Sequence, residues 1–214
     1  MTTRRTGLRE RKKQATREAL REAALRLALE RGPENVRVDD IAEAAGVSPR
    51  TYNNYYSSRE QAIVAAVTAE REAGIAAAVA ARPVGDRLAH AVVEAIVAQY
   101  TDPGERHRDA LLLITTRPAL RHAFVGTAGA IEHPLAEAIA HRLGDTDSDT
   151  PRVLAASVAA AVGIALERWA RPGSAAGGLV VPAGSLPDLI RTTLAPLVPA
   201  LDAAEDRARR NPSG

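Results

Sequence analysis

VDDIAEAAGVSPRTYNNYYS, residues 38–57, is the stretch that decides the predicted fold, because it fits a 20-residue helix-turn-helix at every position. Small or apolar residues stand where two short crossing helices need them: Ile41, Ala42, Ala45, Val47, Tyr52 and Tyr55. Gly46 tolerates the positive φ that the turn between the helices requires. Ser48 is placed to cap the second helix, and Pro49 follows at the first helical position, where a missing N–H costs nothing. The alternative interpretation is a pair of amphipathic helices in an unrelated bundle.

Basic residues are concentrated at the N-terminal end. Residues 1–60 carry 13 basic and 9 acidic side chains, whereas residues 61–214 carry 15 and 17. Eight of the basic residues lie within the first 21 positions, against Glu10 and Glu18. A solvated tail is one explanation of such a run. Next to a helix-turn-helix, a basic end favours contact with a polyanion, here double-stranded DNA.

Composition and motifs exclude several classes of function. The 214 residues contain no cysteine, which excludes disulfides and thiol catalysis. The five histidines have no metal-ligand spacing, and no HExxH, nucleophile elbow, P-loop or GxGxxG occurs, so we expect neither an enzyme nor a cofactor or metal site. The N-terminus does not resemble a signal peptide, and the longest uncharged apolar run, residues 153–166, is too short for a membrane span. We therefore expect a cytoplasmic protein without membrane contact.

The apolar periodicity predicts an all-α protein. A helical stripe runs from Arg9 to Arg31 and ends at Gly32-Pro33. The motif helices follow at 36–45 and 48–56, and Ser57 to Glu60 resembles a capping box that opens a fourth helix to Ala81. The later helices are predicted at 86–100, 105–116, 119–142, 151–170 and 186–200, with Thr150 and Ser185 as caps of the last two. This divides the chain into a three-helix DNA-binding head, residues 1–58, and a larger helical ligand-binding and dimerisation domain, residues 59–214.

The head resembles the TetR family over Thr16–Val64. The family block is similar to the residues DIA at 40–42, AGVS at 45–48, Thr51, YY at 55–56 and SRE at 58–60. Arg50 stands where Gly is common in the family, and Asn53 stands where a phosphate-binding Tyr is common. The resemblance implies a homodimer built on the last two helices, a ligand cavity in each body, and repression relieved by a small-molecule effector. The segment from Ser48 to Tyr55 is also similar to a branch whose ligands are acyl-CoA-like.

The short second motif helix presents the candidate DNA-contacting residues. Arg50 can donate two hydrogen bonds to guanine, and Asn53 or Asn54 can pair with adenine. Thr51 offers a methyl to thymine or a hydroxyl to phosphate. Pro49 lies on the same exposed side. Residues better placed to hold the phosphate backbone are Arg37, Ser48, Tyr55, Tyr56, Ser58 and Arg59. Among the tyrosines, the pattern predicts that Tyr52 and Tyr55 face the core and that Tyr56 is free for phosphate.

The effector site is predicted from few aromatic residues. The body holds only Tyr100, Phe124 and Trp169, too few for a cage around a planar cationic ligand. An aliphatic cavity suits a fatty acyl or acyl-CoA ligand better, with polar anchors among Tyr100, His107, Arg117, Arg121 and His122. Two functions remain open at this point: a ligand-responsive DNA-binding repressor acting on a palindromic operator, and a helical small-molecule carrier or protein-interaction module without specific DNA binding.

Overall fold

The structure, a computed structural model, describes residues 3–83, 85–101, 108–145, 148–171 and 185–210. Within these residues the chain is helical and contains no strand, which confirms the all-α prediction. The α-helices are α1 Thr3–Arg31, α2 Val38–Ala44, α3 Pro49–Asn53, α4 Arg59–Ala81, α5 Leu88–Thr101, α6 Arg108–Thr116, α7 Pro118–Val125, α8 Glu132–Leu143, α9 Thr150–Ala170, α10 Leu186–Leu194 and α11 Val198–Arg210. Short 3-10 turns occupy Pro33–Asn35, Ala128–Ile131 and Ala195–Leu197.

Helices α1, α2 and α3 pack together as the sequence predicts for the head. Leu20 and Ala24 of α1 are fully buried, as are Ile41 and Ala42 of α2. Gly46, between α2 and α3, adopts φ +68, the left-handed conformation that favours glycine. The turn and the small residue at the crossing are therefore where the motif requires them.

Two predicted helices prove to be interrupted. The predicted helix 119–142 is divided into α7, the 3-10 turn at 128–131 and α8. The interruption begins at Gly126 and Thr127, which form a turn and are not helical. The predicted helix 186–200 is broken by the 3-10 turn that contains Pro196, because proline lacks the N–H that would continue α10. Helix α11 then runs to Arg210, beyond the predicted end.

Two predicted helix caps are also shifted by one residue. The backbone N–H of Gln61 donates to Ser58 Oγ at 3.1 Å, so Ser58, and not Ser57, caps α4. Ser57 instead donates its own backbone N–H to Gln61 Oε1 at 2.7 Å. Asp149 stands at the cap position of α9, and Thr150 is already the first helical residue. At α10 the prediction is confirmed, since Ser185 Oγ accepts from Asp188 N at 3.3 Å.

The chain forms two compact units. The first comprises Met1–Ala69 with Glu105–Phe124, and the second comprises Glu70–Gly104 with Val125–Gly214. The first unit thus contains the predicted head and adds the start of α4 together with α6 and most of α7, with α6 packing on α1. The boundary at residue 58 remains a prediction about independent domains.

The second unit is built around α9, which packs against α8, α10 and the 128–131 turn. Among the described residues α9 is also long and apolar enough, by length and composition, to cross a membrane, a property that it shares with core helices of soluble proteins. Ion pairs join α11 to the start of α5, where Arg87 binds Asp202 at 3.2 Å and Asp206 at 2.6 Å. The hydrogen bond from Arg87 lowers the pKa of the Asp206 carboxyl.

Candidate nucleic-acid interface

The exposed face of α3 carries the candidate base-contacting residues. Ser48 caps the helix, accepting from Thr51 N at 3.1 Å, and its hydroxyl shares a hydrogen bond with Thr51 Oγ1 at 2.9 Å. Arg50, Asn53 and Asn54 are exposed, and within the described part of the chain their side chains make no hydrogen bond or ion pair. Because they are three and four residues apart, they lie on one side of the helical turn. Their donors and acceptors are available for base edges.

Tyr52 holds α3 against the start of α4. Its ring is fully buried, and its hydroxyl donates to the carbonyl of Ser58 at 2.7 Å. Burial, the nearby Tyr56 and the carboxylate of Glu60 raise the pKa of this hydroxyl well above its usual value. Tyr52 is therefore a neutral structural group, as the pattern predicts for a core position.

The roles predicted for Tyr55 and Tyr56 are reversed in the structure. Tyr56 is 6% exposed, its ring lies 5.9 Å from that of Tyr52, and its hydroxyl donates to the carbonyl of Arg17 at 3.4 Å. Tyr55 is half-exposed, with the guanidinium of Arg17 6.0 Å from its ring centre. The reason is that α3 ends at Asn53. The helical spacing behind the prediction does not extend to the turn that follows, so Tyr56 enters the core and Tyr55 remains at the surface.

Two of the candidate phosphate-contacting residues, Arg37 and Ser58, lie at helix N-termini. The backbone N–H of Arg37 donates to Asp40 Oδ2 at 2.9 Å, which fixes the start of α2 and leaves the Arg37 side chain exposed. Ser58 caps α4 and is half-exposed. Each position places a polar residue beside backbone N–H groups at a helix N-terminus, an arrangement that suits an anion.

Arg59 has an intramolecular role that its sequence position does not reveal. Its guanidinium donates to the carbonyls of Val36 at 2.9 Å and Glu34 at 3.1 Å, and it pairs with Glu60 at 2.8 Å. Burial raises the pKa of the Glu60 carboxyl, but hydrogen bonds, chiefly from Arg59, outweigh this and lower it. Arg59 thus fixes the turn before α2, and its contact with phosphate stays a prediction.

A second contact to this turn comes from the segment before α7. Arg117 forms an ion pair with Glu34 at 3.5 Å. The two residues line a half-open cleft of about 290 Å³ with Pro33, Arg59, Glu60, Pro118, Ala119 and Leu120. The sequence predicts Arg117 as a polar anchor of the effector. Its link to the head was missed because opposite charges 83 positions apart give no local signal.

The other candidate effector residues are divided between the two units. Arg121, His122 and Phe124 belong to α7 in the first unit, with Phe124 fully buried and His122 exposed. Tyr100 lies in the second unit, buried beneath the guanidinium of Arg71 at 4.3 Å, and half-buried Trp169 lies near the end of α9. His107 is outside the described residues. The predicted effector site remains a prediction.

Comparisons with known proteins agree with this architecture. Residues 20–66 match the family model described as bacterial regulatory proteins, tetR family, and residues 82–202 match the model of the MftR C-terminal domain. The HTH-type transcriptional regulator TcmR of Streptomyces glaucescens is 32% identical over 174 residues, which cover 76% of each chain.

Two solved structures resemble the chain more distantly. One is Thermus thermophilus FadR, a TetR-family transcriptional repressor in complex with lauroyl-CoA, with 24% identity and a TM-score of 0.47 over 85% of this chain and 92% of that one. The other is a putative TetR-family regulator from a Rhodococcus species, with 22% identity and a TM-score of 0.42 over 88% of this chain and 99% of that one. Similarities at this level carry no inference about the ligand.

Proposed function

The chain belongs to the TetR family of bacterial transcriptional regulators, and from this premise we propose that it is a repressor that binds a palindromic operator as a homodimer and leaves it when an apolar, acyl-type effector binds. It acts in the cytoplasm, where the DNA is, and it is not an enzyme.

One observation supports DNA recognition above all. A capped, short helix exposes Arg50, Asn53 and Asn54, and their side chains are not engaged with the rest of the described chain. Arginine and asparagine are the residues whose side chains bind guanine and adenine through two hydrogen bonds.

Exposed apolar residues on α9 support the homodimer. Val153 is 61% exposed and Ile164 is 53% exposed, although α9 is otherwise packed in the second unit. The exposed Ala160 and Ile164 follow Val153 by seven and eleven positions, so the three residues lie along one side of the helix. A second copy of the chain is the occupant that family membership implies for this stripe.

The proposal for the effector is supported by composition. Outside the head the sequence has three aromatic residues, and the buried residues of α5, α8, α9 and α10 are almost all aliphatic. A cavity formed among such side chains suits an acyl chain and not a flat aromatic cation.

The test is selection of DNA by the full chain from a random duplex library, followed by affinity measurements on the selected sequence at several salt concentrations. We expect an inverted repeat with affinity well above that for random duplex. Equal affinity for all duplexes, or no affinity, would refute the proposal in favour of a carrier or interaction module.

A further inference from the structure

Helix α1 begins far in front of the head that it helps to form. It starts at Thr3, whereas its first buried residue is Leu20. Every described side chain before Leu20 is exposed or half-buried, and residues 11–15 are all exposed. We call residues 3–16 the basic arm. Since an α-helix rises 1.5 Å per residue, the arm projects roughly 20 Å beyond Arg17.

The arm leaves the head beside the recognition helix. Arg17 is the residue at which α1 meets the end of the helix-turn-helix, since its carbonyl accepts from the Tyr56 hydroxyl at 3.4 Å and its guanidinium lies 6.0 Å from the Tyr55 ring centre. Tyr55 follows directly on the exposed Asn53 and Asn54. The arm therefore starts next to the surface proposed to contact DNA.

Two basic residues of the arm continue the face that α1 turns toward the head. Arg9 and Lys13 precede the buried Leu20 by eleven and seven positions, and both spacings return to within about 20° of the same side of a helix. Over residues 3–16 the sequence has six basic residues against the single acidic Glu10. On this side of α1, the buried Leu20 and Leu27 pack in the head, and the cations Arg9 and Lys13 take their place in the arm.

From the position of these cations on the helix we propose that the basic arm binds the phosphate backbone of the DNA flanking the operator, outside the base pairs contacted by α3. The inference depends on the DNA binding proposed above and adds a second contact surface to it. Over residues 3–16 the sequence has only two apolar residues larger than glycine, Leu8 and Ala15, too few for a stripe that could join a core. The exposed Arg9 and Lys13 match a duplex that carries a phosphate every 3.4 Å along each strand. The reach of the arm corresponds to roughly six base pairs.

The test compares two duplexes that share one operator, selected by the full chain from a random library. One duplex is trimmed to the shortest sequence that keeps specific binding, and the other carries additional base pairs of unrelated sequence on each side. The variant Arg9→Gln/Lys13→Gln removes two cations from the proposed face. The control Arg26→Gln/Arg31→Gln removes two exposed cations from the same helix outside the arm.

We expect the flanks to tighten binding by the wild-type chain and by the control, but not by the Arg9→Gln/Lys13→Gln variant. Affinity falls as salt rises, and each phosphate contact contributes about 0.9 to the slope of log affinity against log salt. For each contact that the variant lacks, its affinity should therefore fall roughly three- to fourfold less than that of the wild-type chain between 50 and 200 mM salt. Base preference should be unchanged. Sequence-specific binding without a flank effect, or equal behaviour of the two variants, would overturn this inference alone. A chain that selects no duplex would overturn the proposed function together with it.

Discussion

At the scale of single residues, Arg50 is the side chain on which base preference should depend most. It is exposed on a helix capped by Ser48 and is not engaged with other described residues. We expect Arg50→Ala to relax preference at one base pair of each half-site, at a cost of about 1–3 kcal/mol. Binding to single-substitution operator variants measures this.

The matched control for Arg50 is Arg26→Ala, because Arg26 is an exposed arginine of α1 whose one ion-pair partner among the described residues is Glu30, at 3.6 Å. It should leave base preference unchanged. If the two variants alter preference equally, Arg50 holds the backbone and does not contact a base.

Gly46 offers a test of the motif turn that is free of packing effects. Its φ is +68, and a Cβ added there would meet no atom of a non-adjacent residue within 4 Å. Gly46→Ala should therefore destabilise the head by about 1–2 kcal/mol through backbone strain alone. Denaturant unfolding compares it with Gly129→Ala, where a Cβ also meets nothing and no positive φ is required. A Gly129→Ala variant that is destabilised as much as Gly46→Ala would contradict the explanation.

At the scale of elements, one arginine secures the end of α4. The guanidinium of Arg142 on α8 donates to the carbonyls of Val79 and Arg82 at 3.3 and 3.1 Å, and to those of Pro83 and Asp86 at 3.4 and 2.7 Å. These carbonyls lie in the last turn of α4 and the connection to α5, where helical partners are missing.

We expect Arg142→Ala to lower stability by about 1.5–3 kcal/mol, because hydrogen bonds to a charged donor are lost and the carbonyls of a partly buried turn are left without it. Hydrogen exchange should quicken in the last turn of α4. Arg152→Ala, which removes an exposed arginine paired with Asp149 at 3.4 Å, should cost at most about 1 kcal/mol. Similar losses in both variants would mean that the carbonyl contacts contribute little.

The elements also show how far sequence periodicity extends. The motif helices, Ser48 and Gly46 were predictable because each depends on neighbours within a few residues. The exchange of Tyr55 and Tyr56 was not, since it depends on α3 ending at Asn53. Nor was the link between Arg117 and Glu34, because no local pattern records which distant segments pack together. The break in the predicted helix 186–200, in contrast, has a local cause, since Pro196 lacks the backbone N–H that would continue α10.

At the scale of the whole molecule, the dimer should be the form that binds DNA. Two recognition helices related by a two-fold axis would meet successive major grooves about 34–36 Å apart. We expect Val153→Asp/Ile164→Asp, on the exposed stripe of α9, to give a folded monomer with greatly weakened operator binding. Light scattering and circular dichroism test the oligomeric state and the fold.

The control for the dimer is Leu112→Asp, since Leu112 is 63% exposed on α6, outside that stripe. It should remain dimeric. A wild-type monomer that binds a half-site tightly would exclude the dimer as the active form.

Regulation also belongs to the whole molecule, because it requires two sites to influence each other. An effector can weaken DNA binding only if it binds better to a conformation whose heads mismatch the grooves. Helix α4 is a candidate for transmitting that difference, as its residues 59–69 belong to the first unit and residues 70–81 to the second. The segment Glu105–Phe124 offers a second route, since its Arg117 forms an ion pair with Glu34 in the turn before α2.

We therefore expect an acyl-type ligand to weaken operator binding by about 5–150-fold, a coupling of about 1–3 kcal/mol. The measurement is operator affinity during titration with acyl-CoAs, free fatty acids and planar cationic drugs. Glu34→Gln supplies the test of the route, because it breaks the ion pair with Arg117 without changing a candidate effector residue: if the ion pair transmits the change, the variant should bind the operator but respond less to the ligand. Release by cationic drugs alone would contradict the aliphatic site, since a flat cation needs aromatic partners that the sequence hardly provides. Tighter operator binding in the presence of an acyl ligand would reverse the sign of the coupling and make the ligand a co-repressor, because the same linkage holds whichever conformation the ligand prefers.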